Sequence, residues 1–228
     1  MNDIIPFLRS LRSHNDREWF AANKERYLKV REAVEALASR LILLVGETDP
    51  SALHMRPSDV TYRIYRDTRF SADKTPYKTH IGIFINPPRG KKSWRYGYYF
   101  HLEPDNCFIC GGNMPAPGPL TRALRQSVFD NIEEFRAIVE DEEFRRFFPS
   151  IGLERLKMAP KGFPKDWPYI DYLKVKDFGT MMPVDDDYFI SPGLEDRLRP
   201  VIAQAARLND FINFTVDEFE GSQPEDEE

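Results

Sequence analysis

Ile4, Phe7, Leu8 and Leu11 recur at three- and four-residue steps, which places them along one face of a helix. The polar break Ser13-His-Asn-Asp16 ends that face and offers a new N-cap. Trp19, Phe20, Tyr27, Val30, Val34, Leu37, Leu41 and Leu44 form a second stripe, which predicts one long amphipathic helix ending near Gly46 to Pro50. The period then drops to two. Tyr62 and Ile64 oppose Arg63 and Tyr65, Ile81, Ile83 and Ile85 alternate with His80, Gly82 and Phe84, and Tyr98, Phe100 and Leu102 alternate with Tyr99, His101 and Glu103. These read as strands, with a fourth at Cys107 to Gly111 after the turn Glu103-Pro-Asp-Asn106. Helical spacing returns with Leu120, Leu124, Val128, Ile132 and Phe135. A short helix at Tyr169 to Lys176, a strand at Phe178 to Val184 and a closing helix at Pro192 to Phe214 complete the pattern.

Strands that follow one another through short loops pair antiparallel, because parallel neighbours need a long crossover. The expected fold class is therefore α+β, a central antiparallel sheet packed by amphipathic helices from the N-terminal and C-terminal segments. With no internal repeat and no clean boundary, residues 1–216 are expected to form a single domain. The segment Ala159 to Pro168, rich in proline, aromatics and lysine, is expected to pack over the sheet or a site rather than act as a linker.

Composition narrows the class without naming a function. The 228 residues carry 32 Lys+Arg against 37 Asp+Glu, a net charge of −5, with two cysteines and 41% hydrophobic residues. That excludes a disulfide scaffold, a largely disordered chain and a generally cationic protein. Asp3, Arg9 and Arg12 interrupt the apolar start, so no secretory signal is expected, and the longest aliphatic run, Leu41 to Val45, is far below the roughly 20 residues of a membrane span. A cytoplasmic protein with reduced cysteines and no membrane partner is expected.

The charge is also unevenly placed. Arg56 to Arg95 holds ten Lys/Arg and three Asp, +7 in 40 residues, which leaves −12 on the rest of the chain. From Asp217 onward there are seven acidic residues and no basic one, so 217–228 reads as a solvated, disordered tail, or as one that competes electrostatically for the basic band.

Within that band, Arg63, Arg66 and Arg69 at three-residue spacing repel one another unless carboxylates or a bound anion intervene, and guanidinium is shaped to grip carboxylate or phosphate as a fork. A tight loop at Ser71 to Pro76 is expected to return Lys74, Lys78 and His80 toward the arginines and so build an anion pocket. The structural alternative is that Asp67 and Asp73 neutralise the cations in a network that holds the hairpin. Three carboxylates among ten cations leave neutralisation incomplete, which favours the pocket.

His101 and Glu103 stand two apart on an expected strand, hence on one face, with His80 on the adjacent strand. Imidazole beside carboxylate serves general acid-base chemistry, so Asp67, His80, His101 and Glu103 are the candidate proton-transfer groups. Two histidines and a carboxylate also match a facial metal triad in type, but no spacing signature marks one, and no metal or cofactor is expected. Cys107 and Cys110 lie on an expected strand and read as core cysteines, not a redox pair. Gly111-Gly112 lacks the further elements of a nucleotide loop and reads as a connection from sheet to helix.

Several segments together resemble one family: Asn15-Asp-Arg-Glu-Trp-Phe20 with Asn23, Lys24 and Tyr27; Arg63-Ile-Tyr-Arg-Asp-Thr-Arg-Phe-Ser71 with Asp73-Lys-Thr-Pro-Tyr-Lys78; Tyr99-Phe-His-Leu-Glu103 with Gly111-Gly112; and Pro160-Lys-Gly-Phe163. They resemble the bacterial and fungal family called domain of unknown function 2461, from about Ile5 to about Asp217. The resemblance implies a single domain and carries no assigned reaction, substrate or cofactor. The favoured reading is a protein that binds a small anionic ligand, phosphate- or carboxylate-bearing, through Arg63, Arg66, Arg69, Lys74 and Lys78. The alternative partner is nucleic acid, contacted by the same cations with Tyr62, Tyr65, Phe70, Tyr77, Trp94, Tyr96, Tyr98 and Tyr99 interleaved.

Overall fold

A computed structural model describes residues 3–88, 90–113 and 115–222. Four strands, β1 (Ile81–Ile85), β2 (Gly97–Leu102), β3 (Cys107–Gly112) and β4 (Thr180–Val184), form one antiparallel sheet in the order β1-β2-β3-β4. The fold is α+β, as the alternation of periods predicts, with helices from both terminal segments packed on the sheet. No helix among the described residues is long and apolar enough to cross a membrane.

The chain divides into two compact units of interleaved segments. The first comprises Met1–Gly90, Tyr99–Ile109 and Pro183–Arg199. In it α1 (Ile4–Ser13) and α3 (Lys24–Gly46) bury the stripe seen in the sequence, and Phe7, Leu8, Leu11, Leu37 and Leu41 are all but inaccessible to water. The single long helix expected from Trp19 is instead split into α2 (Arg17–Ala22) and α3. The break falls at Asn23, whose φ of −105° and ψ of 16° leave the helical range and whose side-chain amide donates to the Trp19 carbonyl at 2.9 Å beside the backbone bond to that same oxygen. Asp16 caps α2 by accepting from the Trp19 N–H at 2.8 Å, as the polar break predicts. Two short turns, the 3-10 turn Pro50–His54 and α4 (Pro57–Val60), lead toward β1.

The second unit comprises Lys91–Tyr98, Cys110–Met182 and Pro200–Glu228. Asn131 repeats the device of Asn23, donating to the Ser127 carbonyl at 3.0 Å and separating α5 (Gly118–Asp130) from α6 (Ile132–Val139). After α7 (Glu142–Phe147) and α8 (Ile170–Leu173) the chain enters β4, and α9 (Leu194–Gly221) closes it. Phe135 of α6 has no exposed surface and meets the rings of Tyr172, Phe178 and Phe211. In the segment Ala159 to Pro168, Phe163 and Trp167 pack on α5, 5.5 and 4.7 Å from the Phe129 ring. Their partner is a helix residue with no special mark in the sequence, so periodicity could not point to it.

Residues Tyr62 to Tyr65 do not form the expected strand. Only isolated antiparallel bridges form there, Thr61 with Ile83 and Tyr65 with Tyr77, because the backbone follows β1 at the first and leaves it for the Arg66 to Pro76 loop at the second. The acidic stretch beginning at Asp217, read as solvated, starts inside α9. Asp217 pairs with Arg95, and Glu220 accepts from the Ser93 hydroxyl at 3.0 Å and the Trp94 N–H at 2.7 Å, so cations and backbone donors of the 91–98 segment hold these carboxylates in helical register. The rest of the expected tail, 223–228, lies outside the described residues.

Candidate functional site

The hairpin that carries the arginines is held by few backbone bonds. Arg66 N–H donates to the Pro76 carbonyl at 3.0 Å and Lys78 N–H to the Ile64 carbonyl at 2.7 Å. A side chain does the rest. The amide of Asn15 mimics a neighbouring strand, donating to the Tyr77 carbonyl at 2.9 Å and accepting from the Tyr77 N–H at 3.1 Å. The ring of Tyr77 stacks on Phe20 with centroids 4.0 Å apart. Asn15 and Phe20 thus tie the helix junction to the basic hairpin.

Three of the five candidate cations are occupied locally. Arg66 pairs with Asp73 and Thr75 and reaches the Ser71 hydroxyl at 3.4 Å. Asp73 is held down to about 2 by the Thr75 backbone N–H and by Arg66. Arg69 grips Asp67 through two nitrogens at 2.6 and 3.0 Å, which keeps the Asp67 carboxyl below its ordinary range. Lys74 donates to the Thr68 carbonyl at 2.9 Å. The remaining two differ. The Lys78 ammonium lies 5.4 Å from the Tyr62 ring centroid, with its pKa lowered by burial and by Arg63. Neither Arg63 nor Lys78 has an ion pair with a carboxylate among the described residues; Arg63 acts on Asp67 only at a distance, and Asp67 is already engaged by Arg69.

Beside this pair lies a second group. His80 precedes β1, and His101 sits on β2 with Glu103 just beyond its end, and one ligand atom from each of the three falls within 4.8 Å of the others. The rings of His80 and His101 stack at 4.7 Å, and Phe108 stacks on the other face of His101 at 4.3 Å, tilted by only 8°. His101 Nε2 is 3.2 Å from a Glu103 oxygen, and its Nδ1 is 2.8 Å from the Tyr99 hydroxyl. Glu103 accepts from the Asn106 amide at 2.7 Å and the Thr79 hydroxyl at 3.3 Å. Burial and the adjacent His101 push His80 down to about 4, and burial also lowers His101. Burial raises Glu103, but the bonds from Asn106 and His101 outweigh it and the net shift is downward. Both imidazoles are therefore neutral and the carboxylate ionised at neutral pH.

Tyr99 is the participant that sequence reasoning missed, having been counted only among the aromatics. Residues 99, 101 and 103 share one face of the strand by period two, and that signal was enough to find it. Gly82 makes room for it: a methyl group there would stand 2.7 Å from the Tyr99 hydroxyl.

A family model described as a conserved hypothetical protein (DUF2461) matches residues 3–211. The chain belongs to the DUF2461 family. No curated protein and no solved structure matches it. Among the family-like segments of this DUF2461 chain, Gly111-Gly112 falls at the end of β3, packed against Thr180, Gly179 and Ala205, which is a structural setting.

The thiols of the DUF2461 chain are quiescent. Burial pushes Cys107 up to about 11 and Cys110 up to about 12, and neither is in a disulfide. At pH 8 about one Cys107 in a thousand is then thiolate. Iodoacetamide at that pH is expected to alkylate the native protein roughly 100-fold more slowly than the urea-unfolded chain, read by mass spectrometry. Equal rates would refute this burial of the pair.

Proposed function

We propose that this protein binds a small anionic ligand, phosphate- or carboxylate-bearing, between Arg63 and Lys78. The observation that carries the reading is the placement of these two cations. Arg63 depresses the Lys78 ammonium, and neither has an ion pair with a carboxylate among the described residues, while Arg66, Arg69 and Lys74 of the same hairpin each have a partner. Adjacent unpaired cations repel, and an anion seated between them removes that repulsion. Arg66 and Arg69, first grouped with the ligand residues, are assigned here to holding the loop.

A second reading rests on Phe70, whose side chain is 96% exposed with the Arg69 guanidinium 5.8 Å from its ring centroid. An exposed ring beside a cation suits base stacking on single-stranded nucleic acid.

Thermal denaturation separates the two. Inorganic phosphate, at ionic strength matched with chloride, is expected to raise the melting temperature as RT ln(1+[L]/Kd), and Arg63→Ala to remove the rise while Arg69→Ala keeps it. Absence of any anion-specific rise, or a rise indifferent to Arg63→Ala, overturns the proposal. A short oligonucleotide that binds the wild type but not Phe70→Ala would establish the second reading in its place.

A further inference from the structure

We propose that His80, His101 and Glu103 bind a divalent first-row transition-metal ion through one ring nitrogen of each histidine and a Glu103 carboxylate oxygen. The inference goes beyond the anion reading and does not depend on it.

The donors suit such an ion by type and by position. Imidazole nitrogen with carboxylate oxygen is the set that selects zinc, cobalt or iron(II) over magnesium and calcium, which take oxygen alone. Three donors bound at about 2.0–2.2 Å in a tetrahedron stand roughly 3.4 Å from one another. His101 Nε2 and Glu103 are already 3.2 Å apart, and the whole set lies within 4.8 Å, so closure around an ion takes side-chain movements of about 1 Å. Three protein ligands leave at least one coordination position for water or a substrate oxygen.

The surroundings orient the ligands. The Tyr99 hydroxyl at His101 Nδ1 occupies the nitrogen that does not face Glu103, the arrangement by which an outer hydrogen bond fixes a ligating imidazole. Without an ion, Nε2 carries the proton toward the Glu103 carboxylate and Tyr99 donates to Nδ1. With an ion on Nε2, the proton moves to Nδ1 and the Tyr99 oxygen accepts it, so the bond between Tyr99 and His101 is kept in both states. Asn106 and Thr79 hold Glu103 from its other sides, and Phe108 holds the His101 ring in plane. Sequence spacing could not mark this set, because His80 lies 21 residues before His101 and joins it only through strand pairing.

The test is a titration of the full chain, stripped with a chelator and kept free of phosphate, with Co(II) followed by visible absorption and Zn(II) followed by calorimetry. One equivalent is expected, with the intense d–d bands of a low-coordinate cobalt site. His80→Gln and Glu103→Gln should each weaken binding at least ~100-fold, and Tyr99→Phe about 10-fold with the stoichiometry kept. His14→Ala and His54→Ala should leave it unchanged, as should Arg63→Ala, which keeps this result separate from the anion test. If cobalt binds without such bands, or if affinity survives both His80→Gln and Glu103→Gln in variants shown to be folded, the proposal is wrong.

Discussion

Replacing Asn213 by Leu is expected to destabilise the protein by about 2–6 kcal/mol, because two buried backbone groups lose their partner at once. Asn213 is 5% exposed on α9. Its carbonyl oxygen accepts from the Tyr96 N–H at 2.6 Å, and its amide donates to the Tyr96 carbonyl at 2.9 Å. Tyr96 comes immediately before β2, where the strand ladder has not begun, so the Asn213 amide takes the place of a neighbouring strand. Leucine fills a similar volume and satisfies neither group, at about 1–3 kcal/mol for each orphan. A loss near the middle of that range lowers the melting temperature by roughly 8–16 °C in a chain of this size. Asn209→Leu is the comparison. It also removes a bond, from its amide to the Gly97 carbonyl at 3.1 Å, but it eliminates a buried side-chain oxygen that has no partner. The two effects offset, so Asn209→Leu should cost much less. If denaturant unfolding gave equal losses for the two, the strand-mimic role assigned to Asn213 would be wrong.

Asn213 also shows where the sequence ceases to be readable. The apolar stripe Leu198, Val201, Ile202, Ala205, Leu208 and Ile212 marks α9 and its inward face, and all six are buried. Asn209 and Asn213 lie on that same face, where period alone treats a polar residue as noise. Their partners come from residues more than a hundred positions away, which no local pattern reveals. Asn15 and Tyr77 repeat the case within the basic hairpin. The strands at 81–85 and 97–102 were legible because a face buried against helices enforces alternation over several residues. Tyr62 to Tyr65 showed the same alternation over only four residues and formed only a bridge, since so short a pattern also fits a loop that touches an edge. In the candidate site, charge counting located the arginine band, but pairing within it decides which cations remain, and three of the five were already engaged by loop groups. His101 and Glu103 were legible from period two, and their closeness to His80 follows from strand order, which the sequence implied without register.

Gly152→Val should be among the most damaging single changes in the second compact unit, for reasons that lie at the edge of the sheet. The chain at Ile151 bridges antiparallel to Thr180 of β4, and Gly152 N–H donates to the Gly179 carbonyl at 2.7 Å. Leu156 N–H to the Lys174 carbonyl and Lys176 N–H to the Glu154 carbonyl, at 2.7 and 2.9 Å, continue the contact without forming a regular strand. This irregular segment borders the start of β4 as Thr61 and Tyr62 border β1, and a short or broken neighbour is a common way to leave no long template for another chain. Following that edge requires a φ of +71° at Gly152, and a Cβ there would stand 2.6 Å from the Asp177 carbonyl oxygen and 2.7 Å from the Val175 Cβ. Left-handed backbone costs a non-glycine residue about 1–2 kcal/mol, more when it is β-branched, and overpacking against backbone that cannot yield costs about 1–3 kcal/mol. Together they predict a loss of about 3 kcal/mol or more, read by urea unfolding. Gly90→Ala isolates the first term, because Gly90 has a φ of +68° and open space where its Cβ would be. It should lose only about 1–2 kcal/mol. Equal losses at the two positions would mean that the contact with residues 175–177 is not rigid, and that the β4 edge is guarded less firmly than its hydrogen bonds imply.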